Sequence, residues 1–291
     1  MFGSFSRSFK LFKESWSVLR QDPELIWLTV ASFFSVGLII VVFTGIGFSS
    51  NMIVAEEGSE SITSGGIFLI ALIYFLCYFS QIYFQVALVS AVMHRMDGYD
   101  PSIRFAINQA NHRLFAILVW TLIAATVGLI IKAIEEGARR RGSGIGASII
   151  VMILGASWNL LVFFVIPVIV AENKTGISAI KQSGKIIKER WGSAIIGNQG
   201  IGLLVFIAVL LTGAGPIALG VFAIDASFLL GALLILLGIL SGMTVAAIGS
   251  TLSSTYRAVL YRYATAGEIG QYHKEILDSA FRPSSDLRQH Q

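Results

Sequence analysis

The sequence predicts an all-α fold, a polytopic membrane helix bundle with six transmembrane helices. Three observations carry this. Of 291 residues, 55% are hydrophobic and only 13% charged, against roughly a quarter charged in a soluble domain. Six apolar stretches reach the roughly 20 residues that a helix needs to cross about 30 Å of hydrocarbon. Most Lys and Arg residues gather on one side of those stretches. The same balance excludes disorder, which requires low hydrophobicity and high charge. The single cysteine, Cys77, excludes an intrachain disulfide framework and a cysteine zinc cluster.

The spans run approximately over 25–48, 66–92, 115–134, 148–171, 195–218 and 228–252. The first follows a basic lead, as a signal peptide would. Its apolar run exceeds a signal core of about 7–15 residues and no A-x-A site follows, so an uncleaved span is expected. The second places Tyr74, Tyr78, Gln81 and Gln85 at i, i+4, i+7 and i+11, on one face. The third ends near Lys132. The fourth puts Ser148, Gly155 and Asn159 on one face and carries Pro167 inside it. The fifth opens with Gly197-Asn198-Gln199-Gly200 and reaches Pro216 near its end. A Gly213-Ala214-Gly215-Pro216 stretch and a polar tip at Asp225 lead into the sixth. A membrane helix tolerates such prolines when a neighbour satisfies the freed carbonyl.

Buried amides need partners that lipid does not offer. Tyr78, Gln81, Gln85, Asn159, Asn198 and Gln199 are therefore expected to face the bundle interior. There they either bond between helices or line a pocket for a lipid headgroup or small solute. In the sixth span Gly231, Gly238, Gly242 and Gly249 are spaced 7, 4 and 7. At about 100° per residue they stay within about 40° of one another. The resulting groove allows close backbone approach, by another helix of the chain or by a second copy.

Charged side chains fall outside the span cores, which argues against a proton relay, an ion path or a voltage sensor. Lys and Arg number four in 1–24, three in 93–114, five in 171–194 and five in 256–291. The opposite side has only Lys132 and the Arg139-Arg140-Arg141 run, and its 49–65 loop carries Glu56, Glu57 and Glu60. The positive-inside rule then places both termini in the cytoplasm. The arginine run reads as a solvated loop or as a clamp for anionic headgroups.

The cytoplasmic segments repeat. Residues 8–16 read Ser-Phe-Lys-Leu-Phe-Lys-Glu-Ser-Trp and 183–191 read Ser-Gly-Lys-Ile-Ile-Lys-Glu-Arg-Trp, with a weaker copy at 106–114. Each precedes a hydrophobic hairpin. This divides the single membrane domain 1–291 into three units of amphipathic interfacial helix plus transmembrane hairpin, about 1–92, 99–171 and 176–252, before a cytoplasmic tail at 256–291. A partial amphipathic segment at 268–281 closes the chain. Phe5, Phe9, Phe12, Trp16 and Leu19 form one stripe, and Ile103, Ile107, Ala110 and Leu114 form another. Basic amphipathic helices of this kind lie at the membrane interface and favour anionic lipid. Packing on the cytoplasmic ends of the spans is a compatible reading.

Enzyme motifs are missing: no Gly-x-Ser-x-Gly, no His-Glu-x-x-His, no phosphate-cradling Gly-x-x-x-x-Gly-Lys. His94, His112, His273 and His290 lack metal-ligand spacing, and no cofactor is implied. Asp97-Gly98-Tyr99-Asp100-Pro101 reads as a hydrated turn. Glu172, closing the fourth span, could pair with Arg95, Arg190 or Arg262 as an ion pair or gate. Nucleic acid is not an expected partner, because topology explains the net charge of +4.

Several motifs resemble domain of unknown function 6159, an uncharacterised prokaryotic membrane family. They are Ser15-Trp16-x-x-Leu19-x-x-Asp22-x-Glu24-Leu25, Gly98-x-Asp100-Pro101, Phe163-Phe164-Val165-Ile166-Pro167-Val168-Ile169-Val170-x-Glu172 and Lys181-Gln182-Ser183. Trp191-Gly192, Gly197-Asn198-x-Gly200-x-Gly202 and Ala258-x-Leu260-Tyr261-Arg262-Tyr263-Ala264 complete the likeness. The 178–191 pattern also resembles the membrane domain of some glycerophosphoryl diester phosphodiesterases, whose catalytic barrel has no counterpart here. The resemblance implies six spans in a prokaryotic inner membrane and supplies no activity. The expected function is a non-enzymatic membrane protein binding anionic lipid or a membrane partner, with self-association open. The alternative is a small-solute or lipid transporter or channel with a polar cavity lined by spans 2, 4 and 5.

Overall fold

A computed structural model describes residues 22–50, 53–56, 59–140, 145–191 and 200–266. The first amphipathic stripe, the arginine at 141, Asn198, Gln199 and the closing 268–281 segment lie outside these residues. Helix α1 spans Glu24–Ser49, and a hairpin of β1 (Ile53–Glu56) and β2 (Ser59–Ile62) follows it. The hairpin pairs antiparallel from Ile53 opposite Ile62 to Glu56 opposite Ser59. It lies where the sequence suggests only a loop, so the fold is helical with this one short ladder among the described residues. Then come α2 (Ser64–Met96), α3 (Ile103–Asn111), α4 (Leu114–Arg140), α5 (Ile145–Leu161), α6 (Val165–Glu172) and α7 (Gly176–Trp191). Helix α8 (Gly200–Val209) passes through a π-turn at Leu210–Ala214 into α9 (Gly215–Ala223), and α10 covers Phe228–Ala266.

Among the described residues, six helical stretches are long and apolar enough to cross a membrane. They are Glu24–Ser49, Ser64–Met96, Leu114–Arg140, Ile149–Glu172, Val205–Ala223 and Phe228–Ala266. This fits a multi-pass membrane protein. Two helices outrun the apolar segments that seed them: α4 carries Lys132, Glu135, Glu136 and Arg139 on its final turns, and α10 carries Arg257 and Arg262.

The chain divides into two compact units. The first takes Met1–Val30, Leu88–Ala106 and Lys185–Gln291; the second takes Ala31–Ala87 and Ile107–Gly184. In the first, burial concentrates at one end of the helices. Leu25, Leu28, Leu88, Val89, Val92, Leu252, Val259 and Leu260 are buried, and Thr29 Oγ1 meets Thr251 Oγ1 at 2.7 Å. Farther along the same spans Leu229, Leu233, Leu236 and Leu240 are exposed. Lipid is as apolar as leucine, so burying mid-span side chains gains little. Near the aqueous ends the hydrophobic effect acts again.

The glycine face of α10 is filled within this unit. A Cβ at Gly238 would stand 2.7 Å from Gly213 O, and one at Gly231 2.7 Å from Gly220 O. Gly242 meets the backbone of Gly213, and Gly249 meets the Val205 side chain. Helix α10 thus lies backbone to backbone on α9 and the π-turn, so its groove is covered by the same chain. Pro216 removes the N–H that would reach back to the Thr212 carbonyl. Ser241 Oγ sits 2.5 Å from that oxygen.

Candidate functional site

Polar side chains collect where the helices meet the interface. In the first unit Gly98 adopts φ +88°, a left-handed conformation that turns the chain out of α2. The turn brings two aspartates to two arginines. Arg95 forks onto Asp22, which is buried at the entry to α1. It also reaches Asp100 at 2.7 Å. Arg262 of α10 donates to Asp97 at 2.6 Å and to the Met93 carbonyl at 3.3 Å. The start of α1, the end of α2 and the end of α10 are thereby tied by charge-assisted bonds. The His94 ring is stacked on Phe105 at 4.1 Å and on Tyr99 at 4.8 Å between centroids. The predicted hydrated turn is thus also an ion-pair anchor.

In the second unit the fourth span breaks. Pro167 has no N–H to continue the α5 ladder, and α6 restarts at Val165. Phe164 is fully buried, so its backbone N–H needs an acceptor. Ser183 Oγ of α7 supplies one at 3.1 Å. The neighbouring Gln182 Nε2 donates to Glu172 at the other end of α6, at 3.0 Å. Lys174 pairs with Glu172 at 2.7 Å, and Arg113 donates to the Val170 carbonyl at 2.9 Å. Both ends of α6 are therefore held from α7, with Arg113 taking a carbonyl of its last turn. Burial lowers the Arg113 guanidinium pKa from its ordinary value. Asn173 in the left-handed region ends α6, and Gly176 at φ +52° starts α7.

Helix α7 has two chemically distinct faces. Ala179, Ser183 and Ile186 are buried. Lys181, Lys185 and Lys188 are exposed, as is Ile177 at 65%. At about 100° per residue the three lysines and Ile177 share one stripe, opposite the buried one. Helix α3 is built likewise, with Ala106 and Ala110 fully buried and Arg104 and Asn108 exposed. Its buried face centres on these alanines, while Leu114, expected on that stripe, begins α4 and is 43% exposed.

The expected amide interior is only partly assembled. Tyr78 and Gln85 are half-buried. The Tyr78 and Tyr74 rings lie 4.7 Å apart, tilted at 46°, and the Tyr74 hydroxyl lies 3.0 Å from where a Gly128 Cβ would stand. Gln81 and Asn159, by contrast, are exposed, so among the described residues nothing encloses them. Amphipathic spacing assigns residues to a face but does not say which neighbour covers that face. Glu172, Arg95 and Arg262 each hold the nearby partners given above, and the Arg190 side chain lies outside the described ones. The sequence reading missed Ser183 and Gln182 as clamps. The available signal was the Pro167 break, which required a donor or acceptor from elsewhere.

Residues 64–271, more than two thirds of the chain, match the model of a family of unknown function, DUF6159. No curated protein matches the chain.

Proposed function

The chain belongs to that family, and from this premise we propose a non-enzymatic multi-pass protein of a prokaryotic inner membrane that holds anionic lipid at its cytoplasmic face. The carrying observation is the α7 surface: Lys181, Lys185 and Lys188 exposed in a row with Ile177, opposite a buried stripe. Such a helix lies in the interface plane with its cations toward phosphates. Each lysine near an anionic surface contributes about 1 kcal/mol. Six crossings return the chain to the face where it began, and that face carries 17 of the 21 Lys and Arg residues. The repeat reading gives α3 and α7 equivalent places, each leading into a pair of apolar helices.

The test is lipid retention. Native mass spectrometry of the protein from nanodiscs containing phosphatidylglycerol should show bound anionic lipid. A Lys181→Gln, Lys185→Gln, Lys188→Gln variant should lose most of it, while an Arg140→Gln variant on the opposite side should keep it. Equal retention of a zwitterionic lipid, or an unaffected triple variant, would refute this reading.

The interrupted spans favour a second reading, a small-solute or lipid transporter. Discontinuous helices build substrate sites in transporters, and both the α5–α6 break and the π-turn at Leu210–Ala214 interrupt spans here. Flux of a solute or labelled lipid in proteoliposomes, abolished by Pro167→Ala, would select it.

A further inference from the structure

We propose that Arg113, at the start of the third span, is the seat of a phosphate group. The residue stands one position before Leu114, where that span begins. Among the described residues its guanidinium bonds only to neutral oxygens. These are the Gln109 carbonyl at 3.0 Å, Gln109 Oε1 at 2.6 Å and the Val170 carbonyl at 2.9 Å. Arg95 and Arg262, by contrast, each hold an aspartate. Glu172, two residues beyond Val170, is engaged by Lys174 at 2.7 Å and Gln182 at 3.0 Å, and no carboxylate among the described residues pairs with Arg113.

Neutral carbonyls answer donors but do not cancel a charge, and burial makes that charge costly. A donor is also left over: the Arg113 Nε is buried with no hydrogen-bond partner among the described residues. An oxyanion supplies what is missing, a negative charge with acceptor oxygens that a guanidinium grips through two N–H groups. Two of the present acceptors are backbone carbonyls, fixed in α3 and α6. Gln109 Oε1 belongs to a long, half-buried side chain, so it is the acceptor that can leave. A hydrogen bond to an ionised oxygen is roughly twice as strong as a neutral one, so a phosphate oxygen outcompetes this amide.

The surroundings favour a lipid as the source of that phosphate. Leu114 and Phe115 follow Arg113 directly and are 43% and 74% exposed. The cation therefore adjoins an apolar surface at the end of a span, the level of the headgroups that flank the hydrocarbon. Free phosphate carries the same oxygens without acyl chains. The lipid source rests on the anionic-lipid reading above, and it gives that lipid a seat apart from the α7 lysines.

The experiment uses the full chain. Gln109→Glu is isosteric with the amide and puts a carboxylate where Oε1 stands 2.6 Å from Arg113. It fills the seat from within, so it should melt no lower than the parent chain, whereas Arg113→Gln also releases the Val170 carbonyl and can misfold. Native mass spectrometry from phosphatidylglycerol nanodiscs should show one lipid whose occupancy falls about tenfold in Gln109→Glu, the scale of one charge-assisted hydrogen bond. Gln109→Ala, which removes the competing amide, should retain that lipid. In a lipid-free detergent arm, inorganic phosphate should leave the melting temperature unmoved. A rise that Gln109→Glu abolishes would uphold the seat with free phosphate as its occupant. Lipid retention and phosphate response both indifferent to Gln109→Glu overturn the proposal. If the triple lysine variant sheds lipid while Gln109→Glu keeps it all, the Arg113 seat fails and the α7 reading stands. Loss in Gln109→Glu alone upholds the seat and refutes the α7 reading.

Discussion

Replacing Gly238 by alanine adds one methyl group where two backbones already touch. The new Cβ would lie 2.7 Å from Gly213 O, 2.7 Å from Ile217 Cγ1 and 2.9 Å from Ile217 N. The nearest backbone atom is about 0.7 Å inside ordinary contact, which begins at 3.4 Å. A side-chain end could swing aside, but the Gly213 carbonyl fixed in the π-turn and the Ile217 backbone of α9 cannot, so the helices must part. A gap of 0.5–1 Å forfeits a quarter to a half of each dispersion contact, and overpacking costs about 1–3 kcal/mol. Alanine also favours helix over glycine by up to about 1 kcal/mol. That gain cancels in a comparison with Gly37→Ala and Gly45→Ala, where nothing lies within 4 Å of the added Cβ. The expected difference between Gly238→Ala and these two is therefore about 1–3 kcal/mol. Thermal unfolding in a mild detergent, followed by size exclusion, measures it at roughly 2–4 °C per kcal/mol. If Gly238→Ala melts no lower than Gly37→Ala, the close approach of α9 and α10 is wrong.

Three further variants probe the polar layer. Ser183→Ala leaves the buried Phe164 N–H without its acceptor, and an unsatisfied buried group costs about 1–3 kcal/mol. Thermal unfolding should show that loss, and Ser183→Thr should recover part of it. Ser241→Ala should cost about 1 kcal/mol by removing the hydroxyl beside the Thr212 carbonyl. In a Pro216→Ala background the regained N–H should shrink that cost, and a double-mutant cycle showing strict additivity would refute the link. Arg95→Met strands the buried Asp22 carboxylate and should cost about 3–5 kcal/mol. Adding Asp22→Asn should recover much of it, as read by detergent melting curves.

Much of the fold was legible because hydrocarbon imposes one rule on every span: satisfy the backbone internally and keep charge away. Leu28, Ile39 and Val42 announce α1 by composition, whatever their neighbours. The site was less legible. Lys181-Gln182-Ser183 could be recognised as a motif, but its roles could not. Gln182 and Ser183 act on Glu172 and Phe164, 10 and 19 residues earlier, and that pairing exists only once α7 has docked. The four glycines of α10 gave a groove and left its occupant open between the chain and a second copy. Gln81 and Asn159 had the right side-chain type and span position for an interior, yet both are exposed among the described residues.

The sequence alone determined that the chain has the character of a multi-pass membrane protein, which stretches are apolar and long enough to cross, and where its basic residues concentrate. Those properties follow from transfer of single side chains and backbone groups between water and hydrocarbon, a sum over local terms. Only the tertiary structure decided that α9 and the π-turn fill the glycine groove, and that α7 closes the break made by Pro167. Packing between helices in lipid depends on steric fit and a few hydrogen bonds rather than on apolarity. Fit is a property of two surfaces together, and one-dimensional spacing describes only one of them.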